Sequence, residues 1–143
     1  MGLVGRFQKS KPSLLAGQVQ FTKAQIDPTA SLAFCFKHLD RNQGQKFEEW
    51  EAEKLLSRML NRFWEYCQRQ SVDECFNKRF KPYKHFPPNS EFKHPGHVPP
   101  DATWYSMHVD ALSCVIGHRI RNVFYVVFLD RFHKFYPSDI QER

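Results

Sequence analysis

Two short stretches carry the side chains best suited to chemistry. Gly117-His118-Arg119-Ile120 sets an imidazole beside a guanidinium, and His133-Lys134-Phe135-Tyr136 follows an apolar strand with an imidazole, an ammonium and a phenol. Both fall near the ends of a hairpin and its neighbouring segment. Cleaving RNA with its own 2′-hydroxyl as nucleophile needs a general base, a general acid and a cation on the scissile phosphate. His, Tyr, Lys and Arg fill those roles without a metal, and dependence on the 2′-hydroxyl makes such a site specific for RNA over DNA. His133, Tyr136, Arg119 and His118 are therefore the candidate catalytic residues. The other reading of the same residues is as polar caps at strand ends.

A second set of residues suits binding. Between Lys78 and His97, cations alternate with Phe80, Tyr83, Phe86 and Phe92, the composition of a surface that holds a phosphate backbone and stacks bases. The alternative is a solvated loop whose rings fold back on the sheet. Lys37, Arg79, Lys81, Lys84, Lys93, Arg121, Arg131 and Lys134 are the candidate nucleic-acid-binding residues. His94-Pro-Gly-His97 is an H-x-x-H pair with His85 and His108 nearby, and Cys67 or Cys75 could join it. Zinc usually takes four ligands at tighter spacing, so no metal site and no cofactor is expected. The cysteines, Cys35, Cys67, Cys75 and Cys114, have no C-x-x-C spacing. Cys114 shares a strand face with His118, but its apolar surroundings read as core, like those of Cys35. The zinc-deaminase pattern, the P-loop, the dinucleotide fingerprint and G-x-S-x-G are all absent from the sequence.

The elements that must position these groups are readable from periodicity. Ser31–His38 suits a strand. From Gln45 to Arg69, Phe47, Trp50, Leu55, Leu56, Met59, Leu60, Phe63, Trp64 and Cys67 form a stripe that predicts one long amphipathic helix, capped by Asn42 with Gln45. Ser71-Val-Asp-Glu74 matches a capping box and predicts a short second helix that ends before Pro82. Residues 78–100 form a long basic loop with six prolines. Thr103–Val109, Ser113–Ile120 and Val123–Leu129 follow as strands, the last buried on both faces. Asp110–Leu112 turns the first pair. Arg121-Asn122 turns the second, where Asn tolerates positive φ. His133–Tyr136 makes a final edge. The expected fold is α+β, a long N-terminal amphipathic helix and a short helix packed on a small antiparallel sheet. Residues 1–28 read as a basic flexible arm and 29–143 as one domain.

Bulk properties bound the partners. The chain has 143 residues, 41% hydrophobic, with 14 Phe, five Tyr and three Trp, enough to bury a core and leave rings over for a surface. A net charge of +6 favours anionic partners such as nucleic acid. No apolar run approaches the 18 residues of a membrane span, and none of seven or more follows the first basic residue as a signal peptide requires. A cytoplasmic protein with reduced thiols and no membrane partner is expected.

On these residues the chain resembles the RelE/HigB/YoeB superfamily of ribosome-dependent mRNA interferases. Gly117-His118-Arg119-Ile120 is similar to that family's glycine-aromatic-arginine-leucine strand start. Phe128-Leu129-Asp130-Arg131-Phe132-His133-Lys134-Phe135-Tyr136 is similar to the end of HigB-type toxins, where a His and a Tyr lie three residues apart. The resemblance covers about residues 31–140. It implies a RelE-like fold, a metal-independent mRNA endonuclease of a toxin–antitoxin system, ribosome-bound mRNA as substrate and an antitoxin protein as partner. It also implies His133 and Tyr136 as the acid–base and stacking pair and Arg119 as the phosphate binder. The chain departs from the family in the extra loop 78–100, the N-terminal arm and His118, which stands where an aromatic is usual. The alternative is a non-catalytic nucleic-acid- or protein-binding module of a mobile element or defence system, because fold does not fix function.

Overall fold

The computed structural model describes residues 30–69 and 71–137. The expected arm over residues 1–28 lies outside the described residues. The elements are β1 (Ala33–Cys35), α1 (Phe47–Ala52), α2 (Leu55–Cys67), α3 (Val72–Arg79), β2 (Lys81–Tyr83), β3 (Trp104–His108), β4 (Cys114–Ile120) and β5 (Val123–Asp130). The strands form one sheet in the order β1-β5-β4-β3-β2. The α+β class is as expected, but the sheet is mixed rather than antiparallel, because β1 runs parallel to β5. The helices, β2, β3 and β4 lie between these two strands in the chain, the long crossover that a parallel pair requires. Asn122 anchors β1 at the β4–β5 turn: its carbonyl accepts from the Ala33 N–H, and its side-chain amide donates to the Ser31 carbonyl.

The single long helix is also corrected. Two helices, α1 and α2, meet at Glu53-Lys54, where Lys54 adopts a left-handed φ of 63°. The buried positions explain the break. Leu55, Met59, Phe63 and Tyr66 recur at helical steps, but Trp50 to Leu55 is a step of five. An unbroken helix would turn one group away from the sheet, and the left-handed residue re-phases it. Leu60 and Trp64, expected in the apolar stripe, are exposed. The cap moves to Lys46, whose N–H donates to the Glu49 carboxylate, while the Gln45 amide oxygen accepts from Trp50 Nε1 and from the Arg131 N–H. In α3 the Ser71 hydroxyl accepts from the Glu74 N–H, as the capping box predicts.

β2 was not foreseen, and it contains Pro82. It lies at the sheet edge, where a residue without an N–H is tolerated. The segment expected as a final edge at His133–Tyr136 is a turn rather than a strand. The Arg121-Asn122 hairpin turn is present, with the positive φ on Arg121 rather than on Asn122.

The sheet is covered on both faces. The helices pack Trp50, Met59, Phe63, Phe76 and Phe80 against Met107, Val115, Phe124, Val126 and Leu129. On the outer face, Phe92 and Val98 of the proline-rich segment and Phe135 of the C-terminal turn pack with Trp104, Cys114, Ile116, Val127 and Phe128. The rings of that segment thus fold back on the sheet. A bulge in β5 serves both layers: pairing passes from Ile116–Phe128 to Gly117–Val126, so Val127 and Phe128 both face the outer core. β5 is buried on both faces, as its uniformly apolar sequence predicts. Among the described residues, no helix is long and apolar enough to cross a membrane.

Candidate functional site

The outer face of the sheet carries two histidine groups, one at each end of β4. At the first end, His108 closes β3 directly opposite Cys114, which opens β4 and in turn faces Asp130 at the end of β5. Beyond β5 the chain folds back on Asp130. Its two carboxylate oxygens accept from the N–H groups of Lys134 and Phe135, at 2.8 Å each. That tight turn holds His133 at a left-handed φ of 59° and turns its imidazole inward, 4% exposed. A left-handed backbone conformation of this kind costs about 1–2 kcal/mol in an L-residue. The His133 ring centroid lies 5.4 Å from that of His108. Cys114 Sγ lies 3.6 and 3.7 Å from the two His108 ring nitrogens. One donor atom from each of His108, Cys114 and His133 falls within 4.8 Å of the others. Burial pushes the Asp130 carboxyl up from its ordinary range, while the Lys134 and Phe135 N–H groups and His133 pull it back.

At the other end of β4, His118 is 1% exposed, and its Nε2 lies 2.9 Å from His38 Nδ1. The rings of His38, His118 and Tyr125 lie nearly parallel, with centroids 4.6 to 5.1 Å apart. His97 Nε2 reaches the His38 carbonyl at 2.8 Å. Burial, then the neighbouring His38, His94 and His97, push the His118 pKa down to about 4. Burial also lowers that of His38, with His97 and Lys37 adding to it. A two-nitrogen hydrogen bond needs one donor and one acceptor, so this pair cannot be fully protonated and keep the bond.

The four residues picked from the sequence for catalysis are not brought together. His118 and Arg119 are neighbours on β4 and so point to opposite faces. Arg119 lies among the helices, its guanidinium 4.2 Å from the Phe76 ring centroid and paired with Asp73. Tyr136 packs edge-on against Tyr83 at the β2 edge, with the Lys81 ammonium 5.0 Å from its ring. His133 sits with His108 and Cys114.

Of the binding candidates, Arg79 and Lys81 share a cleft. It is about 380 Å³ and is also lined by Arg62, Tyr66, Lys78, Phe80, Ser106 and His108. Two further depressions adjoin it, one through Arg62 and one through Lys78 and Arg79, and they add Arg58 and Arg69. The whole track holds six cations against Glu65 and Glu74. Those carboxylates pair with Arg62, Arg69 and Lys78 at exposed positions, where ion pairs are weak. Arg131 pairs with Glu53 and Lys134 with Glu91. Lys37, Lys84, Lys93 and Arg121 are exposed on the loops and turns between elements.

Sequence reasoning missed His108 and Cys114 as partners of His133, and Arg58, Arg62, Arg69 and Lys78 as part of the track. The spacing of Arg58, Arg62 and Arg69, four and then seven residues apart, marks one helical face and was a usable signal. Nothing local in the sequence links residue 133 to residues 108 and 114. No protein-family model, curated protein or solved structure matches the chain.

Proposed function

We propose that this protein binds a nucleic-acid strand, RNA foremost, along the cationic track formed by α2, α3 and β2. The observation that carries this reading is the run of three adjoining depressions with six cations and two carboxylates. Phosphate contacts supply most of the affinity in such complexes, and they need cations in a row rather than a converging set of catalytic groups. The dispersal of His118, Arg119, His133 and Tyr136 also favours binding over a metal-free active site built from those four. The test is fluorescence anisotropy of the full chain with labelled single-stranded RNA and DNA at low salt. Arg79→Glu with Lys81→Glu should abolish binding while the circular dichroism spectrum is kept. Unchanged binding in that variant would overturn the proposal.

A cleaving function is the second reading, and one observation favours it. His108 is exposed and lines the central cleft, so its imidazole is open to a phosphodiester bound there, with the buried His133 packed against it. In this reading the chain is a toxin-like mRNA endonuclease with an antitoxin partner, as the RelE/HigB/YoeB resemblance implies. Induced expression in bacteria, with mapping of mRNA ends, tests it. Growth arrest with new mRNA ends, both lost in His133→Ala, is the expected result; arrest that persists in the variant overturns the role of His133.

A further inference from the structure

We propose that His108, Cys114 and His133 form a binding site for a zinc-like divalent transition-metal ion, with one coordination position left open beside the cationic track. Three observations carry it. First, the donors are the right kind and number: a thiolate and two imidazoles, each able to place one atom within 4.8 Å of the others. Three protein ligands with a vacant fourth position are the pattern of reactive zinc sites, whereas structural sites close with four. Second, the spacing fits. Zinc–sulfur and zinc–nitrogen bonds of about 2.3 and 2.0 Å at tetrahedral angles place the two donor atoms about 3.5 Å apart. Cys114 Sγ stands 3.7 Å from His108 Nε2, the nitrogen that Asp110 leaves unengaged, and a turn of the exposed His108 ring would aim that lone pair at an ion shared with the sulfur.

Third, His133 buries a ring nitrogen that no described neighbour satisfies. It is 4% exposed, its backbone is left-handed, and its Nδ1 is enclosed with no hydrogen-bond partner among the described residues. A buried polar nitrogen without a partner is costly and rare. An ion bound between His133, Cys114 and His108 would satisfy it. The surrounding groups already orient the ligands. His108 Nδ1 lies 3.1 Å from the Asp110 carbonyl, the contact by which a ligating imidazole is usually fixed through its second nitrogen. Asp130 clamps the turn that carries His133. His108 is exposed and lines the cleft with Arg79 and Lys81, so it is the ligand through which the site would open toward the cationic track.

The site rests on the geometry of the sheet end and not on the nucleic-acid reading. An ion held there commits both imidazoles as ligands, which excludes metal-free proton transfer by His108 and His133 whenever it is bound. The probe is cobalt(II), added to the reduced full chain, with zinc as competitor. One equivalent should bind with the intense visible bands of a tetrahedral site and a near-ultraviolet sulfur-to-cobalt band. Zinc should displace it and raise the melting temperature. Cys114→Ser should lose the sulfur band. His108→Ala, at an exposed position that leaves the core intact, should weaken cobalt binding at least about tenfold. His85→Ala, exposed on the proline-rich segment, should change nothing. Binding without a sulfur band, equal binding in His108→Ala, or no binding to a folded chain would each overturn the proposal. Loss of RNA binding in Arg79→Glu/Lys81→Glu with cobalt binding intact would separate this site from the track.

Discussion

His118 shows how placement changes what a single residue does. Its sequence neighbours suggested a catalytic imidazole, but the sheet buries it against Trp104, Tyr125 and His38, with His94 and His97 close by. Its pKa of about 4 lies below the ordinary histidine value near 6.5, so the unfolded chain takes up the proton first as pH falls. Stability from the neutral imidazole is therefore full above about pH 6.5 and is lost progressively as pH falls toward 4. The expected loss between pH 7 and pH 5 is about 2 kcal/mol from this group. Urea unfolding across that range should show it, and His118→Gln should flatten the profile. A variant as steep as the natural chain would assign the effect to other groups.

At the scale of the element, two backbone positions make their own predictions. Gly117 stands at the β-bulge, where an added Cβ would overlap the Tyr125 carbonyl oxygen and press on the Phe124 ring. The carbonyl belongs to β5, an interior strand paired on both edges, and cannot move aside, so Gly117→Ala should destabilise by about 3 kcal/mol, read as a lower urea midpoint. Lys54 is the opposite case. Its left-handed φ of 63° re-phases α1 and α2, and glycine accepts that conformation without a Cβ clash. Lys54→Gly should stabilise by about 0.5–1 kcal/mol despite the entropy that glycine adds to the unfolded chain. A loss of stability there would mean that the Lys54 side chain holds the junction.

For the whole molecule, the distribution of charge matters more than its total. The net charge of +6 is spread over the chain, but the helices and β2 gather six cations on one track. If all six meet phosphates of a single strand, log affinity should fall against log salt with a slope near about −4, and removing Arg58, Arg62 or Arg79 singly should lower its magnitude by about 0.7. Loss of affinity in these variants without a change of slope would mean that they act on folding rather than on phosphate. The outer face, by contrast, uses its histidines inside a packed layer, where proximity to the sheet end sets their chemistry.

Local pattern in the sequence was enough for several features. The α+β class, the three C-terminal strands, the α3 cap at Ser71 and the buried character of β5 follow from periodicities of two and 3.6 and from capping chemistry, all of which act within a few residues. The alternation that separates His118 from Arg119 was also available, although a linear motif conceals it. The tertiary structure alone decided the rest. β1 joins β5 in parallel because a crossover lets it, and no local signal states the direction of a distant strand. The break at Lys54 answers to the surface on which both helices must pack. His108, Cys114 and His133 meet because β3 and β4 pair in one register and Asp130 folds the chain back over them. Those contacts span up to 25 residues, and the forces that make them, sheet pairing and burial, depend on the assembled fold rather than on spacing along the chain.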